Sequence, residues 1–518
     1  MKPIIKIYRS GELISTSEGD PEESLFTRIG EVGLFLDSPC AGMGKCGKCK
    51  VKLSPDGEEV LACRTYVSVD TNVYLPDDLE MKIADGSTVA AQGAGTKAQI
   101  MQAASGRYGV AVDIGTTTVV AHLTDLVSGV RIATASGVNA QRTYGADVIS
   151  RIQYSAAHGH ETLTRIIRDQ LSSLILQACT ESGANTDDIE YIAIAGNTIM
   201  EHLAAGYSPV GMGVVPFTPI SLFGDELSAG DDLPVAKNAK VYFSPAISSY
   251  VGGDITAGML AAKLEDTSGP VVYLDIGTNG EIVLKTGDKY YTCATAAGPA
   301  FEGAEITMGM AAVNGAINHC RWENGIILSI IGDGAPRGLC GSGLLDALAI
   351  LLNTGAVDES GRMLDSDEIE HPISEYIGEI DGKNAFFLSK ENGGVYLTAA
   401  DVRKLQLAKS AIAAGIQTLL RHVDIAEEEI TQFVLAGGFG SYMNQYSAAR
   451  IGLFPTCFLP VSSTLGNTAG EGAAIAVYSE DARAKLADMR RRCEYIELST
   501  SMVFNDQFVE QMMFPEDY

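Results

Sequence analysis

The stretch VAVDIGTTTVVAHL, residues 110–123, reads as an apolar strand, a short polar turn and a second apolar strand. Its turn region carries Asp113, Gly115, Thr116, Thr117 and Thr118. The pattern returns at residues 272–284 as VYLDIGTNGEIVL, with Asp275, Gly277, Thr278, Asn279 and Gly280 in the same order. Glycine lets backbone amides approach phosphate oxygens, hydroxyls add donors, and each aspartate can hold Mg2+ directly or through water. One such hairpin says little, because aspartate is a common turn residue. Two copies indicate an internal duplication around a phosphate site.

Between the copies, residues 146–157 and 161–183 have helical apolar spacing, and IEYIAIAGN (189–197) reads as a strand. Alternation of this kind implies α/β layers. A third glycine turn, in FVLAGGFGSYMN (433–444), follows the strand Phe433–Ala436. There Gly437, Gly438 and Gly440, with Phe439 among them, leave room for close packing against an adenosine. Two small-residue stretches, GGDITAGMLAAKL (252–264) and GNTAGEGAAIAVY (466–478), predict helices that can cross closely, as at a hinge.

Hairpin, helix, second hairpin, glycine turn and second helix follow the order shared by acetate and sugar kinases, hexokinase, the Hsp70 chaperones and actin. Residues 108–480 resemble that superfamily. The resemblance implies two RNase H-like lobes, here 108–268 and 269–480, with ATP and Mg2+ in the cleft between them. In sugar kinases of this type a Gly-Asp pair before the first connecting helix supplies the general base, and Gly253-Asp254 occupies that place. Asp254 would then orient an attacking water, beside Asp113 and Asp275. A helix N-cap explains an aspartate there equally well.

The front of the chain differs. CAGMGKCGKC (40–49) holds Cys40, Cys46 and Cys49, and Cys63 follows in LACRTY. Structural zinc sites usually present two separated knuckles. Three ligands on one loop with a distant fourth is instead close to the plant-type [2Fe–2S] spacing. Gly42, Gly44 and Gly47 would let the loop fold tightly and aim amides at cluster sulfurs. The flanks predict strands, a helix through ESLFTRIGEVGL and further strands, an arrangement that resembles the β-grasp fold of [2Fe–2S] ferredoxins. Zinc and bare thiols are the weaker alternatives. The expected fold class is thus an α+β β-grasp domain over 1–80, a flexible linker over 81–107, the α/β two-lobed ATPase, and a tail (481–518) packing back on the ATPase core.

The 518 residues carry 37 basic against 65 acidic side chains, a net charge of −28. That balance argues against wrapping nucleic acid or lying on an anionic membrane. No apolar window is long enough for a membrane helix and no export signal opens the chain, so a cytoplasmic protein is expected. The remaining six cysteines show no ligand spacing and read as core residues.

A ferredoxin is foreign to kinases, and no sugar- or acetate-recognition pattern is present. The combination resembles the reductive activators of corrinoid proteins in methyltransferase and O-demethylase systems, as do TCATAAGPAFEGAEITMGM (292–310) and GLCGSGLLDALAILL (338–352). The resemblance implies delivery of one electron to cobalt(II), driven by ATP, with a corrinoid protein as partner and a low-potential electron donor; it admits a homodimer. Longer members carry a middle domain between the two modules, and this chain offers only the linker there. The loop 296–303 is the candidate contact for the corrinoid protein, unless it only lines the cleft with Glu302 near Mg2+ through water. Two other readings stand: an ATP-driven activator of a different low-potential enzyme, and a redox-sensing, nucleotide-dependent switch.

Overall fold

The computed structural model describes residues 2–32, 34, 36, 42, 44, 47–76, 104–230, 232–303, 305–389 and 394–516. At the N-terminus, β1 (Ile4–Arg9), β2 (Glu12–Glu18), β3 (Lys50–Lys52), β4 (Glu59–Leu61) and β5 (Thr71–Tyr74) form one mixed sheet in the order β2-β1-β5-β3-β4. The helix Leu25–Glu31 packs on it through Leu25 and Ile29, against Ile5, Ile7, Val51 and Val73. Ser24 caps that helix by accepting from the Thr27 amide, so the serine before the apolar spacing marks its start. EEVLACRTYV (58–67) reads in sequence as a strand, but the strand stops at Leu61. Ala62–Arg64 is a 3-10 turn, which buries the Cys63 side chain rather than placing it along a strand.

The duplication in the sequence is a duplication in space. One sheet runs β10-β11-β9-β6-β7-β8, from β6 (Tyr108–Ile114), β7 (Thr118–Asp125), β8 (Arg131–Val138), β9 (Ile189–Gly196), β10 (Glu226–Ser228) and β11 (Lys240–Phe243). The second contains β12 (Val271–Ile276), β13 (Gly280–Thr286) and β14 (Lys289–Thr295). Two further three-stranded sheets then intervene, β15 (Ala316–Trp322), β16 (Ile326–Ile330), β17 (Gly338–Leu339) and β18 (Ile377–Ile380), β19 (Lys383–Ser389), β20 (Val395–Thr398). The second sheet is completed by β21 (Gln432–Ala436), β22 (Ser462–Thr464) and β23 (Cys493–Tyr495), in the order β22-β21-β12-β13-β14-β23. In each sheet the first strand of the quoted hairpin pairs antiparallel with the second and parallel with a later strand, β9 or β21. These central strands are buried on both faces, which is why they read as continuous apolar runs.

The two small-residue stretches are the helices Gly253–Ala261 and Thr468–Tyr478. Their backbones touch: a methyl group placed on Gly472 would lie 2.1 Å from the Ala257 carbonyl oxygen. Alanines from both helices share a core with Ala111, Ala193 and Ala195 of the first sheet. Carbonyls of the last residues are held by side chains from earlier in the chain. Gln406 donates to the Met512 carbonyl (2.6 Å), Lys409 to Met513 (2.6 Å), Ser410 to Phe508 (2.6 Å) and Arg450 to Pro515 (2.8 Å). No helix among the described residues is long and apolar enough to cross a membrane.

Candidate functional site

Both quoted hairpins end in tight turns that face one cleft. In the first, Gly115 donates to the Thr118 carbonyl (2.9 Å); in the second, Gly277 donates to the Asn279 carbonyl (2.9 Å). The first turn is held from outside. Asn139 donates from its side chain to the Gly115 carbonyl (2.8 Å) and from its backbone to the Thr117 carbonyl (2.8 Å). Asn197 donates to Thr116 Oγ1 (3.1 Å), and the fully buried Arg151 guanidinium donates to the Thr116 carbonyl (2.5 Å). Burial pulls the Arg151 pKa down to about 9.

Carboxylates from both halves converge on the cleft floor. Burial pushes the Asp113 pKa up to about 7, against a hydrogen bond that Asn467 Nδ2 donates to its Oδ2 (2.8 Å); the charge of Asp275 adds to the rise. Asp254 rises to about 8 through burial and the fields of Asp275 and Asp113, and burial takes Asp275 to about 6. Glu281, opposite Asp275 in the β12–β13 register, and Glu201 are both pushed well above the carboxylate range by burial, each with Asp254 as its leading neighbouring charge. Asp113, Asp254, Asp275 and Glu281 keep an edge open to solvent, whereas Glu201 is fully buried. Such crowding of negative charge is costly unless protons or a cation offset it.

Asp254 is not the N-cap of its helix. Gly252 is, and Asp254 lies in the first turn, where its carboxylate accepts from the Ile255 amide (2.9 Å). The glycine before it is forced by packing, since a methyl on Gly253 would lie 2.2 Å from Glu201 Oε1. The third turn folds as a short helix, Gly437–Tyr442. Gly437, at φ +83°, sits over Asp275, where a methyl would meet the carboxylate at 2.5 Å. Gly438 faces open space, and Phe439 stacks on Phe301 at 5.7 Å between ring centroids. The structure therefore brings together Asp113, Asp254, Asp275 and Gly437 of the residues expected from the sequence. Glu201, Glu281, Asn139, Asn197, Asn467 and Arg151 were not among them. A signal for two existed: Gly-Asn-Thr occurs at 196–198 and again at 466–468, and both asparagines cap a helix while their side chains reach the first hairpin or its aspartate.

The cysteine site is described in half. Cys49 and Cys63 are buried with their sulfurs 3.2 Å apart, unbridged. Gly42, Gly44 and Gly47 all have positive φ, 81°, 74° and 68°, as a tight ligand loop needs. Cys40 and Cys46 lie outside the described residues. Two adjacent thiols, one just after the glycine-turned loop and one in the 3-10 turn, fit a soft metal or an iron–sulfur cluster in donor type. Of the other six cysteines, Cys179, Cys293, Cys320 and Cys340 are buried as expected, and Cys457 and Cys493 are half-buried.

Comparison with known proteins gives the family. Residues 270–518 match a profile described as the C-terminal domain of RACo, the ASKHA domain, and residues 108–267 match one described as the RACo middle region. The second match overturns the expectation that the chain lacks the family's middle part. That part contains the first of the two hairpins, which is why it reads in sequence as an ATPase lobe. The chain is 37% identical over 425 residues to the corrinoid activation enzyme RamQ of Eubacterium limosum, covering 79% of this chain and 71% of that protein. It is 22% identical over 450 residues to the "[Co(II) methylated amine-specific corrinoid protein] reductase" of Methanosarcina barkeri, covering 79% and 77%. A solved structure of a reductive activator for corrinoid, iron–sulfur protein superposes with a TM-score of 0.70 at 31% identity, over 99% of this chain and 98% of that one.

Proposed function

Because the chain belongs to the family of reductive activators of corrinoid proteins, with an ASKHA domain, we propose that it uses ATP to deliver one electron from a [2Fe–2S] cluster to the cobalt(II) of a corrinoid protein, yielding cobalt(I). The observation that carries this reading is the pairing, in one chain, of the Cys49–Cys63 thiols with two duplicated Asp-Gly hairpins whose aspartates lie together. Cys40, Cys46, Cys49 and Cys63 would hold the cluster, which supplies a one-electron carrier when bound. The N-terminal sheet with its helix is read as a β-grasp ferredoxin domain over 1–80, and 81–107 as the linker that lets it swing between donor and acceptor.

In the cleft, Gly115–Thr118 and Gly277–Gly280 would bind the phosphates and the Gly437–Phe439 turn would back the adenosine. Asp113 and Asp275 would hold Mg2+, most economically through water, since Mg2+ keeps much of its hydration. Asp254, raised to about 8, can accept a proton near neutral pH and is the base for the attacking water. Energy input is needed because cobalt(II) resists reduction. For one electron, each 59 mV of unfavourable gap costs about tenfold, so a gap of ~180 mV leaves roughly one transfer in 10^3. Driving a two-state element from 1:99 to 99:1 takes about 5.5 kcal/mol of differential binding, within reach of ATP.

The test is anaerobic. The purified protein is analysed for iron and sulfide, then mixed with a cobalt(II) corrinoid protein, Mg·ATP and a low-potential reductant while cobalt(I) absorbance is followed. Two irons and two sulfides per chain with cobalt(I) formation, both lost in Cys63→Ala, support the reading. Cobalt(I) formation that survives Cys63→Ala contradicts the route.

A further inference from the structure

The N-terminal domain touches both lobes at once. Lys48, beside the ligand Cys49, donates to two carbonyls of the second lobe, Gly303 (3.2 Å) and Gly309 (2.5 Å). Those carbonyls converge because the segment doubles back on itself: a methyl on Gly309 would lie 2.2 Å from the Gly303 oxygen. On the other side, Gly30 of the helix Leu25–Glu31 rests on Thr143 of the first lobe, where a methyl on Gly30 would lie 2.4 Å from the threonine methyl. Glu31 is close enough for its charge, after burial, to raise the pKa of Tyr144.

Each contact is a few residues from a phosphate hairpin. Thr143 ends the 3-10 turn Ala140–Thr143, whose N-cap Asn139 holds the Gly115 and Thr117 carbonyls. Gly303 follows Glu302, whose Oε1 accepts from Thr278 Oγ1 (2.7 Å). We propose that the cleft mouth is a docking surface for this chain's own N-terminal domain, seated by Lys48 and Gly30, and that nucleotide binding releases it. The release rests on the nucleotide reading above. Phosphate in the second hairpin takes the Thr278 hydroxyl and repels the Glu302 carboxylate, which moves the Gly303 carbonyl away from Lys48. The loop 296–303, the candidate contact for the corrinoid protein, is thereby covered at its Gly303 end until nucleotide binds.

Hydrogen exchange on the full chain tests both parts. Amide exchange is followed over Asn139–Tyr144 and Phe301–Met310 in the wild type, Lys48→Ala and Gly30→Ala. Gly30 lies in a helix at ordinary φ, so alanine favours that helix and removes only the fit to Thr143. Faster exchange in both segments, at least threefold, is expected in each variant without nucleotide. The wild type should match them once Mg2+ and a non-hydrolysable ATP analogue are added, with binding verified by calorimetry. Equal exchange in all three proteins overturns the docking. Faster exchange in the variants but none in the wild type with bound analogue overturns the release. If calorimetry detects no binding, the nucleotide reading and the release fall together, while the variant comparison still decides the docking.

Discussion

At the scale of single residues, the cleft floor is defined by charge. Asp113, Asp275 and Asp254 have pKa values of about 7, 6 and 8, each raised first by burial, against about 4 in an unfolded chain. A folded state that holds its carboxyl protons more tightly than the unfolded chain gains stability below the unfolded pKa and loses it as pH rises through the folded values. Without nucleotide, these groups therefore lower the melting temperature progressively between about pH 4 and pH 8. Mg2+ requires the ionised forms, so the increase in melting temperature on adding Mg·nucleotide should be larger at pH 8 than at pH 6. Thermal unfolding across that range checks both signs, and Asp254→Asn should flatten the upper part of the decline. The same substitution should reduce ATP hydrolysis at least 100-fold while leaving nucleotide affinity within a few-fold. The hairpin aspartates and glycines were legible because turn chemistry restricts what can stand there. Glu281 was not, because inside a strand nothing local distinguishes a glutamate facing a cleft from one facing water. Arg151 was hidden for a related reason: two of its acceptors, the Thr116 and Gly145 carbonyls, are backbone atoms with no sequence signature, and the others, Gln141 and Met200, are brought near only by the fold.

At the scale of elements, the crossing of Gly253–Ala261 and Thr468–Tyr478 is the part most sensitive to volume. Gly472→Ala places a methyl against the Ala257 carbonyl, a backbone atom that cannot swing aside. The expected cost is about 1–3 kcal/mol, read as a lower denaturation midpoint. An unchanged midpoint would mean that the helices do not cross as closely as described. Small residues on both stretches gave this crossing away in advance. The interposed sheets β15–β17 and β18–β20 did not announce themselves, since short half-exposed strands between glycines look like loops in sequence. The same holds for Ala62–Arg64, where the apolar run that suggested a strand is broken to bury a cysteine.

At the scale of the whole molecule, the C-terminal tail is an integral wall rather than an appendage. Phe514 is 2% exposed, with the Lys409 ammonium 5.0 Å from its ring centroid, and four side chains hold tail carbonyls. Ending the chain before Met502 should lower the melting temperature by several degrees, since it exposes that core and leaves buried donors unpaired. Burial also pulls the Lys409 pKa down to about 7. The unfolded chain then binds more protons above that pH, so Lys409 makes stability rise between about pH 7 and 10, a contribution absent in Lys409→Met. The duplicated lobes were legible as an order of motifs. How the N-terminal domain meets them was not, because Lys48 and Gly30 are unremarkable until two lobes are brought beside them.

The proposed function has nucleotide drive the electron. Its most direct measurement is the cobalt(I) yield from a cobalt(II) corrinoid protein, at fixed reductant and under anaerobic conditions, with Mg·ATP, with Mg·ADP and with no nucleotide. A yield that rises at least tenfold only with Mg·ATP, and not in Asp254→Asn, is the predicted result. Equal yields under all three conditions would contradict the account.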